Sequence, residues 1–154
     1  MSRYKIIIQY DGLDFSGFQS QKNLNTIQDK IEHSLSFLNQ NNLIRIVGAS
    51  RTDAGVHALG QVAHFNFDSE LSLDAIKRAL NARLPLQIRI IDIKAVNTEF
   101  HSRFDAIKKQ YLYQCSLTEN PLLSKDHFAL KQFNFERLKN IEHELVGRHN
   151  FLSF

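Results

Sequence analysis

A chain of 154 residues suffices for one domain with a real hydrophobic core, and 43% hydrophobic against 23% charged residues excludes a disordered chain. A single cysteine, Cys115, excludes an internal disulfide framework and suits a reducing compartment, while a formal net charge of +3 gives only a mild preference for an anionic partner. "MSRYKIIIQYDG" turns polar after a few apolar residues and no apolar run reaches bilayer length, so the expectation is a soluble, cytoplasmic protein with no membrane partner.

Alternation in "RYKIIIQY" predicts a first strand, Arg3 to Tyr10, ended by Asp11-Gly12. After a loop, Asn25 and Gln28 form an N-cap and N3 pair, and Ile27, Ile31, Leu35 and Leu38 carry one helical face to about Asn39. A second strand covers Leu43 to Val47, ended by Gly48. A third runs from about Val56 to Phe67, with Ala63, Phe65 and Phe67 on one face and His64 and Asn66 on the other.

Ser72 caps a second helix, with Leu73, Ile76 and Leu80 on its apolar side, which stops before Pro85. A fourth strand spans about Ile88 to Asn97 and a fifth about Lys108 to Ser116. Asn134 opens a third helix to about Val146, closed by Gly147. The order β-α-β-β-α-β with additions predicts an α+β, ferredoxin-like fold: a mostly antiparallel sheet with helices on one face. That fold hosts many unrelated functions, so it decides no chemistry by itself. The closing "GRHNFLSF", with Phe151 and Phe154, reads as a strand-like element cut short, hence the expectation of a fragment.

Several mechanisms lack their motifs. There is no G-x-x-x-x-G-K-[ST], no G-x-G-x-x-G, no H-E-x-x-H, no C-x-x-C and no G-x-S-x-G. Most of the seven histidines are therefore expected to be surface or structural ones, and no metal site is expected. Cys115, within "YLYQCSL", is expected to be a small buried hydrophobe.

Two clusters remain. In "SRTDAGVH" an extended Arg51 to Asp53 would project both side chains to one side, and a guanidinium beside a carboxylate keeps it ionised. Asp53 is then a candidate nucleophile or charge stabiliser, with Gly55 easing the turn after it. Taken alone, the same residues also read as a turn aspartate with an ordinary surface arginine. In "TEFHSRFDAIKKQYLYQC", His101 and Arg103 precede the fifth strand, on which Tyr111 and Tyr113 share a face. Rings that stack on bases beside cations that hold phosphates suit RNA. Tyr113 and Phe104 are expected in the core. From Leu71 to Gln110 eight basic residues face four acidic ones, an excess that either suits a phosphate backbone or marks solvated faces.

Five segments in order resemble the tRNA pseudouridine synthase A family: "YDGLDFSGFQSQ" (Tyr10 to Gln21), "TIQDKIE", "SRTDAGVHALGQVAHF", "NTEFHSRFDAIKKQYLY" and "LVGRHNFLSF". The resemblance implies isomerisation of uridine to pseudouridine in the anticodon stem-loop of tRNA, without cofactor or metal. It implies Asp53 as the catalytic group acting after base flipping, Arg51 pairing with it and assisting the flip, and Tyr111 stacking on the target base; His101 and Arg103 join them as substrate-binding candidates. It further implies that residues 1–154 are the N-terminal, aspartate-bearing half of a homodimeric enzyme, with the C-terminal half absent. Ser50 stands where the family usually has glycine, Phe18 where tryptophan is frequent, and Asn150 where aspartate is common. A non-catalytic RNA-binding module of the same fold is the rival reading. The chain lacks the K/R-G-F/Y-G/A-F-V-x-F/Y signature of RNA-recognition motifs.

Overall fold

The structure is a computed structural model that describes residues 1–119, 121–122, 127–130, 132–150 and 152. Phe151 and Phe154, where the closing strand-like run was expected, lie outside the described residues. The chain forms two compact units, Met1–Lys108 and Lys109–Phe154.

In the first unit the elements are β1 (Ser2–Tyr10), α1 (Ile27–Leu38), β2 (Val47–Gly48), β3 (Ala58–Phe67), α2 (Leu73–Arg83) and β4 (Ile88–Val96). The sheet order is β2-β3-β1-β4 and every neighbouring pair is antiparallel. This is the expected ferredoxin-like arrangement, with β1 in the interior, paired on both edges. Period-two alternation turns Tyr4, Ile6, Ile8 and Tyr10 inward. There they share one core with Ile27, Ile31 and Leu35 of α1, Ile76 and Leu80 of α2, and Ala63, Phe65 and Phe67 of β3.

Helix α1 is capped by Thr26, not Asn25: the Thr26 hydroxyl accepts from the Asp29 N–H at 3.3 Å. The Asn25 side chain is engaged elsewhere, donating to the Asp14 carbonyl at 3.0 Å. Gln28 accordingly sits one position earlier in the helix and is buried. As expected, Ser72 caps α2.

The second strand is far shorter than Leu43 to Val47. Ile44 and Ile46 are buried, but the backbone of Ile46 pairs with side chains of α1 instead of a strand. Its N–H donates to Glu32 Oε1 at 3.0 Å and its carbonyl accepts from Gln28 Nε2 at 3.2 Å. The third strand starts at Ala58, because a turn with the Val56 N–H on the Asp53 carbonyl (3.3 Å) occupies the residues before it.

The second unit holds β5 (Cys115–Ser116), β6 (Phe128–Ala129) and α3 (Phe135–Leu145). Asn134 caps α3 as expected, accepting from the Arg137 N–H at 2.9 Å. The fifth strand does not run from Lys108: only its last two residues find a ladder, in parallel with β6. Alternating residues form a strand only where a partner backbone satisfies the ladder. Tyr113, 89% exposed, and Cys115, also exposed, are therefore not buried as expected. Among the described residues no helix is long and apolar enough to cross a membrane.

Candidate active site

Asp53 lies in the connection between β2 and β3, just before a turn at Ala54-Gly55 in which Gly55 takes φ +77°. The connection is built against the loop that follows β1. Gly12 approaches so closely that a Cβ there would fall 2.0 Å from the Val56 carbonyl oxygen. Gly17, at φ +92°, would place one 2.7 Å from the Thr52 carbonyl oxygen. Only glycine fits either contact. The Phe18 N–H donates to that Thr52 carbonyl at 3.0 Å, and the Gly55 N–H donates to the Phe15 carbonyl at 3.3 Å.

The same loop closes the N-terminus of α1. The Gly17 and Phe18 carbonyls accept from the Ile27 and Gln28 N–H groups at 3.2 and 2.9 Å, two donors that the helix itself leaves unpaired. Gln28 Oε1 accepts from Gln19 Nε2 and the Ser20 N–H. Core helix, glycine loop and Asp53 loop are thus one hydrogen-bonded assembly.

Tyr10, the buried last residue of β1, brings its hydroxyl within 2.8 Å of Thr52 Oγ1. Burial raises the Tyr10 pKa above the ordinary tyrosine value, against a smaller lowering by the Thr52 bond, so the phenol stays protonated. At the far side of the turn, His57 Nδ1 lies 3.1 Å from the Asp11 carboxylate, both side chains being about half exposed.

Arg51 and Asp53 are exposed, and no salt bridge joins them. The expected charge pair is thus not formed: both side chains are exposed, where a surface pair gains little. The Asp53 carboxylate has no hydrogen-bond partner among the described residues and is open to solvent. Two clefts of about 450 and 440 Å³ lie elsewhere, beside His33 and Arg45 and beside Met1 and Phe67. Asp53 lines neither of these two clefts.

His101 and Arg103 belong to a tight turn after β4. The His101 N–H donates to Asp105 Oδ2 at 2.8 Å, and His101 Nδ1 accepts from the Arg103 and Phe104 N–H groups. Arg103 is exposed. Phe104 is not core; it is 79% exposed and stacks on the His101 ring at 4.2 Å. Tyr111 is 67% exposed and lies in the second unit.

Behind this turn stands His64, on the expected face of β3 but buried beneath Ser102 and Phe100. The Ser102 N–H lies 3.2 Å from His64 Nδ1, and the Ser102 hydroxyl donates to the Val47 carbonyl at 2.6 Å. Burial first, then the charges of Arg3 and His101, push the His64 pKa down to about 4, with Asp105 opposing, so the ring is neutral.

Alternation placed His64 correctly, but nothing in its local pattern shows that Ser102, 38 residues on, covers it. Tyr10 and Thr52 were likewise not singled out from composition or spacing. The signal for them was two glycines, Gly12 and Gly17, closely following a strand that ends in tyrosine.

Residues 6–105 match the family model described as tRNA pseudouridine synthase. The chain belongs to the tRNA pseudouridine synthase family. It is 37% identical over 156 residues to tRNA pseudouridine synthase A of Latilactobacillus sakei subsp. sakei (strain 23K), covering 99% of this chain and 62% of that protein. Against the protein of the same name from Streptococcus mutans serotype c it is 40% identical over 158 residues, covering 100% and 63%. Against tRNA pseudouridine synthase A 1 of Protochlamydia amoebophila (strain UWE25) it is 41% identical, covering 100% and 61%. The chain therefore spans less than two thirds of these relatives. The family match contains both loops of the site, with Arg51, Asp53, His101 and Arg103, whereas Tyr111 lies beyond it.

Proposed function

We propose that this chain is the aspartate-bearing N-terminal part of a cytoplasmic enzyme that converts uridine to pseudouridine in the anticodon stem-loop of tRNA, with Asp53 as the nucleophile. The observation that carries the reading is an exposed carboxylate, without a partner among the described residues, on a loop that two glycine contacts and several backbone hydrogen bonds hold in place. Such a group is positioned without being consumed by the fold, as covalent catalysis requires.

In the reaction the Asp53 carboxylate bonds to C1′ as the N1–C1′ bond breaks, the uracil turns, C5 bonds to C1′ as the Asp53–C1′ bond breaks, C5 loses its hydrogen as a proton, and N1 takes one up. The target base must first leave the stack. Arg51, exposed beside Asp53 in sequence, assists the flip, and Tyr111 supplies a face for the base. His101 and Arg103, fixed by their own turn, contact the RNA backbone. Assembly as a homodimer sharing the tRNA belongs to the same proposal.

Release of tritium from tRNA labelled at C5 of uridine tests it, because only new bonding at that carbon expels the label. Release by the product of the reading frame that contains this chain, lost in Asp53→Ala, is expected. Binding of tRNA without release would favour the RNA-binding module and end the catalytic assignment.

A further inference from the structure

We propose that Tyr10 is a positioning residue for the reaction, its hydroxyl fixing Thr52 and thereby the backbone that carries Asp53. The inference rests on the proposed role of Asp53.

Tyr10 ends β1, the strand paired on both sides, opposite Ala58 of β3 and Ile88 of β4. Its ring is 3% exposed and packs near Phe18, with centroids 6.2 Å apart. A phenylalanine would fill the same space, and the hydroxyl adds one thing: the 2.8 Å bond to Thr52 Oγ1. A buried hydroxyl without that partner would be costly, so the pair specifies each other.

Thr52 precedes Asp53 directly and is held twice. Its side chain bonds to β1 through Tyr10, and its carbonyl bonds to the Phe18 N–H at 3.0 Å. Gly17 lies against that carbonyl with no room for a Cβ. Among the described residues the side chains of Arg51 and Asp53 make no hydrogen bond or ion pair, and the Asp53 backbone takes the 3.3 Å turn bond from the Val56 N–H. The Tyr10 hydroxyl therefore links the rigid interior of the sheet to the residue before the nucleophile. Small losses of alignment at a reacting group cost rate before they cost affinity.

The test uses the product of the reading frame that contains this chain and C5-labelled tRNA. Tyr10→Phe and Thr52→Val are each expected to lower kcat about tenfold, with KM changed less than about twofold and a retained cooperative unfolding transition. The double variant is expected to be no slower than either single, since both remove one bond. Thr52→Ser, which keeps the hydroxyl, is expected to restore most of the rate lost in Thr52→Val. Parental kcat in Tyr10→Phe, additive losses, an effect confined to KM, or loss of cooperative unfolding would each overturn the inference. Asp53→Ala separates the two levels. Full activity in Asp53→Ala, or none in the parent, ends the reading of Asp53 and this inference with it. An inactive Asp53→Ala beside a fully active Tyr10→Phe ends this inference alone.

Discussion

Glu32 of α1 holds the backbone of Ile46: its carboxylate, 2% exposed, accepts the Ile46 N–H at 3.0 Å where a strand partner would otherwise stand. The same carboxylate takes Gln28 Nε2 at 2.7 Å on one oxygen and Arg45 Nη1 at 2.8 Å on the other. Three hydrogen bonds thereby engage both oxygens of the buried carboxylate, which is the condition under which burial is tolerated. Glu32→Ala strands the Ile46 N–H and takes one of two acceptors from Gln28 Nε2, which keeps the Ile46 carbonyl, and is expected to cost about 2–4 kcal/mol in urea unfolding. Glu32→Gln, which preserves the shape, is expected to cost less. Equal stability of parent and Glu32→Ala would show that water replaces these bonds freely.

At the start of the same helix the cap is testable by comparison. Thr26→Ala removes the acceptor for the Asp29 N–H and is expected to cost about 1 kcal/mol of unfolding free energy. Asn25→Ala loses only a loop bond to Asp14 and is expected to cost less. The reverse ranking would restore Asn25 as the cap.

The strands and helices that pack on the core were legible because their signal is local. Tyr4, Ile6, Ile8 and Tyr10 alternate, and Ile27, Ile31 and Leu35 recur at helical spacing, so period alone gives both element and buried face. Where a partner decides the outcome, pattern failed. Ile44 and Ile46 alternate like a strand, yet α1 claims the Ile46 backbone. Tyr111 and Tyr113 alternate equally well and have no ladder. In the site, Arg51 and Asp53 stood out by type. Their spacing suggested an ion pair that solvation does not favour, and the contacts that hold the loop come from Tyr10 and Gly17, more than 30 residues away.

His64 gives the folded chain a pH dependence whose sign follows from its lowered pKa. Its ordinary value is 6.5 and its folded value about 4. Between these, the unfolded chain binds a proton that the folded chain refuses, chiefly because the ring is desolvated by burial, with the charges of Arg3 and His101 adding to it. The contribution is therefore complete above about pH 6.5 and is lost as pH falls toward 4, about 2–3 kcal/mol across that window. Urea unfolding of His64→Gln, which cannot titrate, is expected to show a correspondingly shallower fall in stability. Parallel pH curves for parent and variant would contradict the assignment.

The glycines of the loop separate steric from conformational cost. Gly55, at φ +77°, has no atom within 4 Å of a built Cβ, so Gly55→Ala meets only the left-handed backbone penalty, about 1–2 kcal/mol. Gly17→Ala adds a 2.7 Å clash with the Thr52 carbonyl to a similar φ. It is expected to be the more destabilising of the two by thermal unfolding, and to lower tritium release further by displacing the Asp53 loop. A milder effect at Gly17 than at Gly55 would mean that the Phe18–Thr52 contact is dispensable.

Arg51 is the residue for which stability and activity should part. Its side chain is exposed and makes no salt bridge among the described residues, so Arg51→Ala is expected to leave the unfolding free energy within about 0.5 kcal/mol of the parent. In assisting the flip the guanidinium acts on the RNA-bound state alone, and its loss falls there. Tritium release should drop by at least tenfold, and Arg51→Lys should recover only part of it, because an ammonium keeps the charge but not the planar fork. A stability loss equal to that of a core substitution would instead place Arg51 in the architecture of the loop, and parental activity in Arg51→Ala would remove it from the site.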